Sequence, residues 1–240
     1  MSALLRRLFQ SIVVIIIMSA VLFVGVWLIG NPVDVLISPQ ATEADRLAAI
    51  RALGLDKPLW EQYLIFLGNA LQGDWGTSFV YKEPVTQILL QRLPASIELA
   101  LVAFVISLCV SIPAGLYAGL RPESPAGRGI MAFSLIGVSI PTFWQGMLLI
   151  IAFGIMFPIF PVGDRGEVAT YLGITSSLWT LDGWHHVLMP AFSLALLEMS
   201  LLIRVTRAAT VEISKLDFVK FAQAKGLSEY RVVTAHILRN

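Results

Sequence analysis

The feature that most constrains this chain is a series of long uncharged stretches. The first runs from Leu8 to Gly30 without a charged side chain and follows Arg6 and Arg7. At about 1.5 Å per residue, a helix of that length crosses a hydrocarbon core of about 30 Å. A cleaved signal peptide has a shorter apolar core, usually of about 7–15 residues, before a small-residue cleavage site. We therefore expect an uncleaved first transmembrane helix.

The composition agrees with a membrane protein. Hydrophobic residues make up 57% of the chain, charged residues only 14%, and the mean hydropathy is +0.78. Soluble domains usually have about 25% charged residues. Cys109 is the only cysteine, so the chain can form neither an intrachain disulfide nor a thiolate cluster. Basic residues are too scattered for a nucleic-acid surface, and no nucleic-acid partner is expected.

Three later apolar runs predict three more membrane helices. Pro94 is placed at the start of the second one, because proline is favoured in the first turn, and Pro113 is expected to interrupt it. A more polar segment before it is predicted to hold two short helices, one with Thr42 as N-cap and Gly54 as stop signal. We therefore predict an all-α polytopic fold. Its predicted divisions are 1–30 (N-terminal cytoplasmic tail and first helix), 31–93 (extracytoplasmic helical segment) and 94–240 (membrane core with helices at about 94–120, 130–157 and 187–203 and a cytoplasmic loop at 204–240).

The distribution of basic residues predicts the orientation. With a cytoplasmic N-terminus, most of the seventeen Lys and Arg residues fall on the inner side. The exceptions lie mainly in the long segment after the first helix, where the positive-inside rule is weak. We therefore expect a multi-pass protein of the inner membrane with its N-terminus in the cytoplasm.

A few polar residues and prolines within the apolar runs are candidates for lining a water-filled path. An ionisable group at the bilayer centre costs at least about 2.5–3.5 kcal/mol, so it usually faces protein or a cavity. Glu98 is expected to reach the membrane interface, whereas Glu198 lies deeper and is either a path-lining group or an interhelical hydrogen-bond partner. In "SIPTFWQG", Pro141, Thr142 and Gln145 either help to shape a path or only mark a kinked helix.

Motifs for catalysis are missing from the sequence. It has no G-x-x-x-x-G-K-[ST], H-E-x-x-H or G-x-S-x-G pattern. His185 and His186, with Asp182, could be read as metal ligands, but adjacent histidines on a helix point in different directions. We therefore expect no bound cofactor or metal and no enzymatic activity, and any energy for active work would come from another chain.

The closing stretch "LDFVKFAQAKGLSEYRVVTAHILRN" is charged and compatible with helix. Phe218, Phe221 and Ala222 fall on adjoining turns of a first helix. Gly226 allows a sharp backbone turn, and Ser228 can cap a second helix. The plain alternative is a basic amphipathic helix that rests on anionic lipid. Lipid binding alone, however, does not require small residues and a glycine between aromatics.

Taken in order, these segments resemble the inner-membrane permease subunits of binding-protein-dependent ABC transporters, in the dipeptide, oligopeptide and nickel subfamily. The resemblance is carried by "RALGLDKPLWEQYLIFLGNALQGDWGTSF", "RLPASIELA", "SIPTFW", "FPVGD" and the closing run. It implies a type I importer permease fold. Family members continue with two more membrane helices after the closing run, so this chain is expected to be a fragment.

The closing run is similar to the family's EAA loop, whose short coupling helix docks on a cytosolic ATPase. Aligning the loop's glycine with Gly226 places its second alanine on Ala222, while Lys220 and Phe221 occupy the glutamate and first-alanine positions. The peptide subfamily has a form similar to "AQAKGL". The resemblance thus implies coupling through the 217–227 loop. The implied coupling residues are Asp217, Phe218, Phe221, Ala222, Ala224, Lys225, Gly226 and Leu227.

The resemblance also implies partners. They are a second homologous permease, two cytosolic ATPase subunits, an extracytoplasmic substrate-binding protein and the lipid bilayer of a bacterial or archaeal plasma membrane. Peptides are the expected substrate, with nickel complexes, glutathione, opines and sugars as alternatives on related scaffolds. Two other classes stay open at this point: a noncatalytic receptor or assembly protein without transport activity, and a membrane enzyme.

Overall fold

The computed structural model describes residues 3–29, 42–52, 54–78 and 80–239. Its contacts divide the chain into two compact units, Met1–Arg92 and Leu93–Asn240. Helix dominates both units in the described parts of the chain, and a single two-stranded hairpin is the regular β-structure found there. The all-α polytopic prediction is confirmed.

Among the described residues of the first unit, three helices lie wholly before the unit boundary. Helix α1 is Ala3–Ile29, α2 is Glu43–Ala52 and α3 is Leu59–Leu71. Tyr63 of α3 donates a hydrogen bond to the Ile16 carbonyl of α1 at 2.9 Å. Both predicted short helices are present. The sequence positions 30–41, which the prediction gave to the start of an extracytoplasmic segment, lie outside the described residues.

Helix α4, Val85–Leu120, starts earlier than the sequence predicted. The proline at its start is Pro84, whose carbonyl accepts hydrogen bonds from Gln87 and Ile88 at 3.1 and 3.2 Å. Pro94 lies inside the helix, and so does Pro113. The assignment of Pro94 to the helix start was wrong because two prolines ten residues apart both precede helix-forming sequence. Pro113 does not interrupt the helix, since α4 continues to Leu120.

The third apolar run is a broken helix. Helix α5 is Pro125–Ser139, capped by Ser124, and α6 is Thr142–Leu149, which continues as a π-helical segment at Ile150–Met156. The two halves are bent by 107°. Pro141 lies at the break, directly before the first residue of α6. The chain therefore ends one helix and begins another there, instead of continuing a single helix through a proline kink. The run predicted at 130–157 is therefore two helices.

A small hairpin leads into the last long helix. Strands β1, Ala169–Tyr171, and β2, Ile174–Ser176, pair antiparallel and are followed by a 3₁₀ turn at Ser177–Trp179. Helix α7 is Leu181–Ile213, and the Thr180 hydroxyl caps it by accepting from the Gly183 amide at 2.9 Å. The predicted range 187–203 was too short at both ends. Hydropathy marks only the apolar middle of this helix, because its ends carry His and Arg side chains.

Three short helical segments close the chain. Helix α8 is Asp217–Ala224, α9 is Glu229–Val232, and a π-helical turn follows at Val233–Ile237. The predicted order of helix, sharp turn and helix is confirmed by these elements.

The membrane spans are identified by length and composition. Among the described residues, Leu4–Gly25, Val85–Leu120 and Leu181–Ile213 are each long and apolar enough to cross a bilayer, and the bent pair of α5 and α6 makes a fourth if it counts as one span. In the second unit, α5 and α6 both pack on α7. A buried cluster joins α4 to α7 and is formed by Val102, Ala103, Val187, Ala191, Ala195 and Met199.

Candidate functional site

Helix α8 has one buried face and one exposed face. Val219 and Ala222 are 0% and 4% exposed, whereas Phe221 on the other side is 61% exposed. Phe218 is also exposed. The alternation follows from helical geometry, because residues three apart share a face. The helix is therefore fixed to the chain on one side and presents aromatic side chains on the other.

The buried face of α8 belongs to an apolar cluster, which we call the C-terminal cluster and define by its buried members Val219, Ala222, Val232 and Ile237. The surrounding side chains come from the ends of the two long helices: Leu116 and Leu120 on α4, and Ile213 on α7. The buried face of α8 is therefore packed in one cluster with the ends of α4 and α7.

Ala222 thus has a role other than the one the sequence suggested. Its small side chain was expected to allow close approach of a partner, but it fills space inside the C-terminal cluster. Several other residues of the predicted coupling loop are exposed, among them its neighbours Phe221, Ala224 and Lys225. The ammonium group of Lys225 lies 4.5 Å from the centre of the Phe221 ring, a cation–π distance. At the start of α8, the Lys220 ammonium group lies 3.1 Å from the Asp217 carboxylate.

The turn after α8 forms where the sequence placed it. Gly226 has φ = +78°, in the left-handed region that glycine adopts readily. Leu227 then donates its amide to the Ala222 carbonyl at 3.3 Å and packs against the C-terminal cluster. Ser228 occupies the N-cap position of α9, but its side chain makes no capping hydrogen bond. The predicted N-cap position is confirmed, but the capping hydrogen bond from the serine side chain is not formed.

Helices α4 and α7 touch through glycines close to this cluster. A Cβ atom added at Gly115 would lie 2.6 Å from Cβ of Thr206, and one added at Gly119 would lie 2.6 Å from Cβ of Thr210. Real Cβ atoms do not approach this closely, so a side chain at either position would force the two helices apart. A small residue every fourth position is a common basis for close helix packing in membranes. The spacing was visible in "AGLYAGL", but the sequence did not identify the facing helix.

The broken span is held by one of the candidate path residues. The Gln145 side-chain amide donates to the carbonyls of Gly137 and Ile140, at 2.7 and 2.9 Å. Gln145 is only 5% exposed. Its donor groups therefore satisfy carbonyls that the break at Pro141 leaves without helical partners. Gln145 stabilises the bend, and within this chain it does not line an open surface.

A cavity of about 570 Å³ lies between α6, the segment after the broken span and α7. Thr142, one of the candidate path residues, lines this cavity together with mainly apolar side chains. Its other polar lining groups come from different elements: Asp164 and His186, and Ser193 in the middle of α7. The cavity is therefore apolar with a few polar groups, the usual character of a small-molecule site.

Glu198 is exposed on α7. Leu194 and Leu201, one turn before and after it, are exposed as well. A carboxylate surrounded by apolar side chains in a membrane-spanning helix is costly in lipid. Glu198 therefore requires a protein or aqueous neighbour beyond this chain, which is compatible with both alternatives left open by the sequence.

Glu98 lies further inside its helix than the sequence indicated and is 7% exposed within the chain. Its predicted reach to the membrane interface stays a prediction. Arg165 and the hydroxyl of Ser177 each donate a hydrogen bond to its carboxylate at 2.6 Å. Glu98 therefore fixes the segment before α7 to α4. The partner was missed because it lies 67 residues further along the chain.

The two adjacent histidines make separate contacts. The His185 ring nitrogen contacts the Ile159 carbonyl, and Nδ1 of His186 lies 2.9 Å from the Asp182 carbonyl. Across the described residues, no group of three or more His, Cys, Asp and Glu side chains has the arrangement of a metal site. Both rings are explained by packing at the start of α7.

The long apolar helices and the broken span define a polytopic membrane protein, and its short helix α8 has one face buried in the chain and one face exposed. Comparison with known proteins identifies its family. A family model described as "Binding-protein-dependent transport system inner membrane component" matches residues 111–240, and an N-terminal model of the same system matches residues 1–100. The chain belongs to this family. It is therefore a permease subunit of a transport system rather than an enzyme, as predicted.

Three relatives illustrate the similarity. The oligopeptide permease protein AppB of Bacillus subtilis is 39% identical over 88% of this chain and 65% of its own length. The di/tripeptide permease protein DppB of Pseudomonas aeruginosa is 36% identical over 88% and 67%. The dipeptide permease protein DppB of Escherichia coli is 31% identical over 98% and 75%. The chain thus spans about two thirds to three quarters of the length of these relatives.

Proposed function

We propose that this chain forms, together with a second permease subunit, the path by which peptides enter a bacterial or archaeal cell. Two cytosolic ATPase subunits would drive the cycle and an extracytoplasmic binding protein would deliver the peptide. Peptides are favoured because the three relatives described above are all named as peptide permeases. The cavity beside Thr142, with its few polar groups on an apolar lining, is suited to part of such a path.

The observation that carries the coupling proposal is the two-sided packing of α8. Its exposed face, with Phe218, Phe221 and Ala224, would dock on the ATPase, while its buried face transfers the displacement to the cluster formed with α4 and α7. A rigid element moves its neighbours as a body, whereas a flexible loop would absorb the movement. Glycine contacts between α4 and α7 add stiffness next to that cluster.

The proposed orientation places the N-terminus and α8 in the cytoplasm. Arg6 and Arg7 precede the first span, and Arg121 and Arg128 lie between α4 and the broken span. Their position agrees with the positive-inside rule. A membrane-impermeant thiol reagent should label Thr170→Cys in intact cells, and Glu123→Cys only after permeabilisation. The reverse pattern would invert the orientation.

Transport itself is tested by uptake. The chain is co-reconstituted with its second permease, the ATPase subunits and the binding protein, and uptake of labelled peptides is measured with and without ATP. ATP-dependent uptake that needs this chain supports the proposal. Assembly of the full set with ATP hydrolysis but without uptake of any peptide would favour the alternative, a receptor or assembly role.

The docking face is tested by a matched pair of cysteines in a Cys109→Ser background, since Cys109 is the only native cysteine. Ala224→Cys is exposed and Ala222→Cys is buried, although both start from alanine in the same helix. We expect crosslinks to the ATPase from Ala224→Cys alone. Failure of both positions over several linker lengths would refute docking through α8, and crosslinking from Ala222→Cys alone would reverse the assigned faces.

A functional counterpart is Phe221→Asp. Phe221 is exposed, so its replacement should leave insertion and thermal stability close to wild type, within about 0.5 kcal/mol. The charge should nevertheless abolish peptide-stimulated ATP hydrolysis if the ring is an apolar contact to the ATPase. The control is Val168→Asp, an exposed apolar position in the segment before α7, which should leave coupling unchanged.

A further inference from the structure

The tip of the β1–β2 hairpin has an unusual residue. Tyr171 pairs with Ile174, so Leu172 and Gly173 form a two-residue loop. Both loop residues have positive φ, +51° for Leu172 and +81° for Gly173, as in a type I′ turn. The first position of such a turn favours Asn, Asp or Gly. Leucine is strained there, and its side chain is 90% exposed. Since the turn itself does not require a leucine, the side chain calls for a contact outside the chain.

The hairpin is also two-faced. Thr170 and Thr175 form one cross-strand pair, and their hydroxyl oxygens lie 2.8 Å apart. The next pair along, Tyr171 and Ile174, points to the opposite face because side chains alternate along a strand. The Tyr171 ring lies 6.0 Å from the ring of Trp179. One face is therefore polar and the other presents exposed aromatic and aliphatic groups.

The chemistry of this face fits a lipid surface. From Val168 to Leu181 the chain has no charged side chain. Trp179 needs no polar partner outside the chain, because its indole N–H donates to the Ile174 carbonyl at 3.2 Å. Tyr and Trp are the residues enriched at membrane–water interfaces. A protein partner that docks reversibly would instead be expected to meet a mixed polar rim.

The position of the hairpin agrees with that chemistry. Only the short Ser177–Trp179 turn and the N-cap residue Thr180 separate β2 from α7. Helix α7 is a candidate membrane span, and its first residue, Leu181, is itself exposed. The base of the hairpin is fixed, since the Ser177 hydroxyl donates to Glu98 of α4. The apolar face is thus held next to the first turn of a helix that is long and apolar enough to span the bilayer.

We propose that the apolar face of this hairpin, with Leu172 at its tip, inserts into the headgroup–acyl boundary of the bilayer next to the N-terminal end of α7. The hairpin acts as a fixed interfacial anchor that sets the depth of α7 in the membrane. Interfacial elements of this kind penetrate about 5–10 Å. The proposal depends on the membrane family of the chain and not on the identity of the transported solute.

The experiment compares two labelled cysteines in the Cys109→Ser background, with the assembled transporter in phosphatidylcholine nanodiscs. Leu172→Cys places an environment-sensitive fluorophore at the tip, and Thr170→Cys places it on the polar face as the matched control. Quenching is measured with lipids that have a doxyl group near the headgroup and, separately, with aqueous iodide. Ile174→Cys is a second probe of the apolar face if Leu172→Cys does not fold.

We expect the doxyl lipid to quench the Leu172 label severalfold more than the Thr170 label, and iodide to show the reverse order. Equal, strong iodide quenching at both positions would place the tip in water and overturn the proposal. Protection of Leu172 from both quenchers only after the binding protein is added would identify that protein as the occupant. Protection from both without it would mean that another subunit covers the face. Each of the last two results also refutes lipid insertion, while peptide uptake reports separately on the transport function.

Discussion

The two ends of the α4–α7 pair are held together by different physics. Near the C-terminal end of α7, the helices approach so closely that Gly115 and Gly119 have no room for a Cβ atom. Near its N-terminal end, the contact is polar: Arg165 and Ser177, which precede α7, both donate to Glu98 of α4. Close packing at glycines therefore holds one end, and charged hydrogen bonds hold the other.

This difference bears on how each end responds to a force. Close approach at small residues lets two membrane helices make many van der Waals contacts along their backbones, and these contacts hold the helices together as one body. A carboxylate and a guanidinium group, by contrast, can exchange their partner for water when water gains access. The close-packed end is also the one that joins the C-terminal cluster, where the proposed ATPase contact lies. Stiffness is thus located where a force would enter.

The largest effect is expected at the polar end, from Glu98→Ala. This substitution leaves the Arg165 guanidinium group, about a third exposed, without its ion-pair partner. Removing one member of a buried pair typically lowers the free energy of unfolding by about 3–5 kcal/mol. Because Arg165 is partly exposed, we expect a loss of about 3 kcal/mol. Thermal unfolding in detergent measures it. Glu98→Gln keeps acceptor capacity and should lose less, and a wild-type melting temperature for Glu98→Ala would show that the ion pair does not hold this end.

A smaller loss is expected at the close-packed end, from Gly119→Ala. The added methyl group would meet Thr210, so the helices must separate slightly, at a cost of about 1–3 kcal/mol. Gly129→Ala in α5 is the matched control, because an added Cβ there has no neighbour within 4 Å. That change should instead stabilise the helix by about 0.5–1 kcal/mol. Equal melting temperatures for the two variants would remove the distinction between the two ends.

The sequence predicted the membrane spans because the absence of charge over a long run is a local property. It misplaced helix boundaries where two local signals competed. Pro84 and Pro94 both precede apolar helix-forming sequence, and only the structure distinguishes the helix start from an internal proline. It also placed the turn at Gly226 correctly, because a glycine between two helical patterns needs no long-range information.

The sequence did not reveal which face of the short helix α8 is buried or which residue pairs with Glu98. The closing segment was located, but Ala222 was assigned to the partner surface, whereas it is buried in a cluster against which Leu116 and Ile213 pack. Glu98 was read alone because Arg165 is distant in sequence. The cause is the same in both cases: an amphipathic helix or an acidic residue in a span requires a partner, but its sequence context does not say which residue supplies it.

A smaller and opposite effect is expected at the hairpin tip beside the polar end. Leu172→Asn places a residue that accepts positive φ at the strained position, and it should stabilise the protein in detergent by up to about 1 kcal/mol. Gly173→Ala, at the next position, should destabilise it because alanine resists φ of +81°. If Leu172→Asn instead lowers the melting temperature, the leucine contributes to folding, and the polar end contains an apolar contact as well.

The smallest effect is expected from an ion pair at the close-packed end, and it tests directly whether charge contributes there. The close-packed end also has an ion pair, between Arg121 and Glu229, but its atoms are 3.5 Å apart and the two side chains are 59% and 70% exposed. Exposed pairs contribute about 0–1 kcal/mol, since water solvates both charges equally well when they are apart. Glu229→Gln should therefore leave the melting temperature nearly unchanged, and added salt should not alter this result. A loss comparable to that of Glu98→Ala would mean that charge holds both ends, and the stiffness near the C-terminal cluster could then no longer be attributed to glycine packing alone.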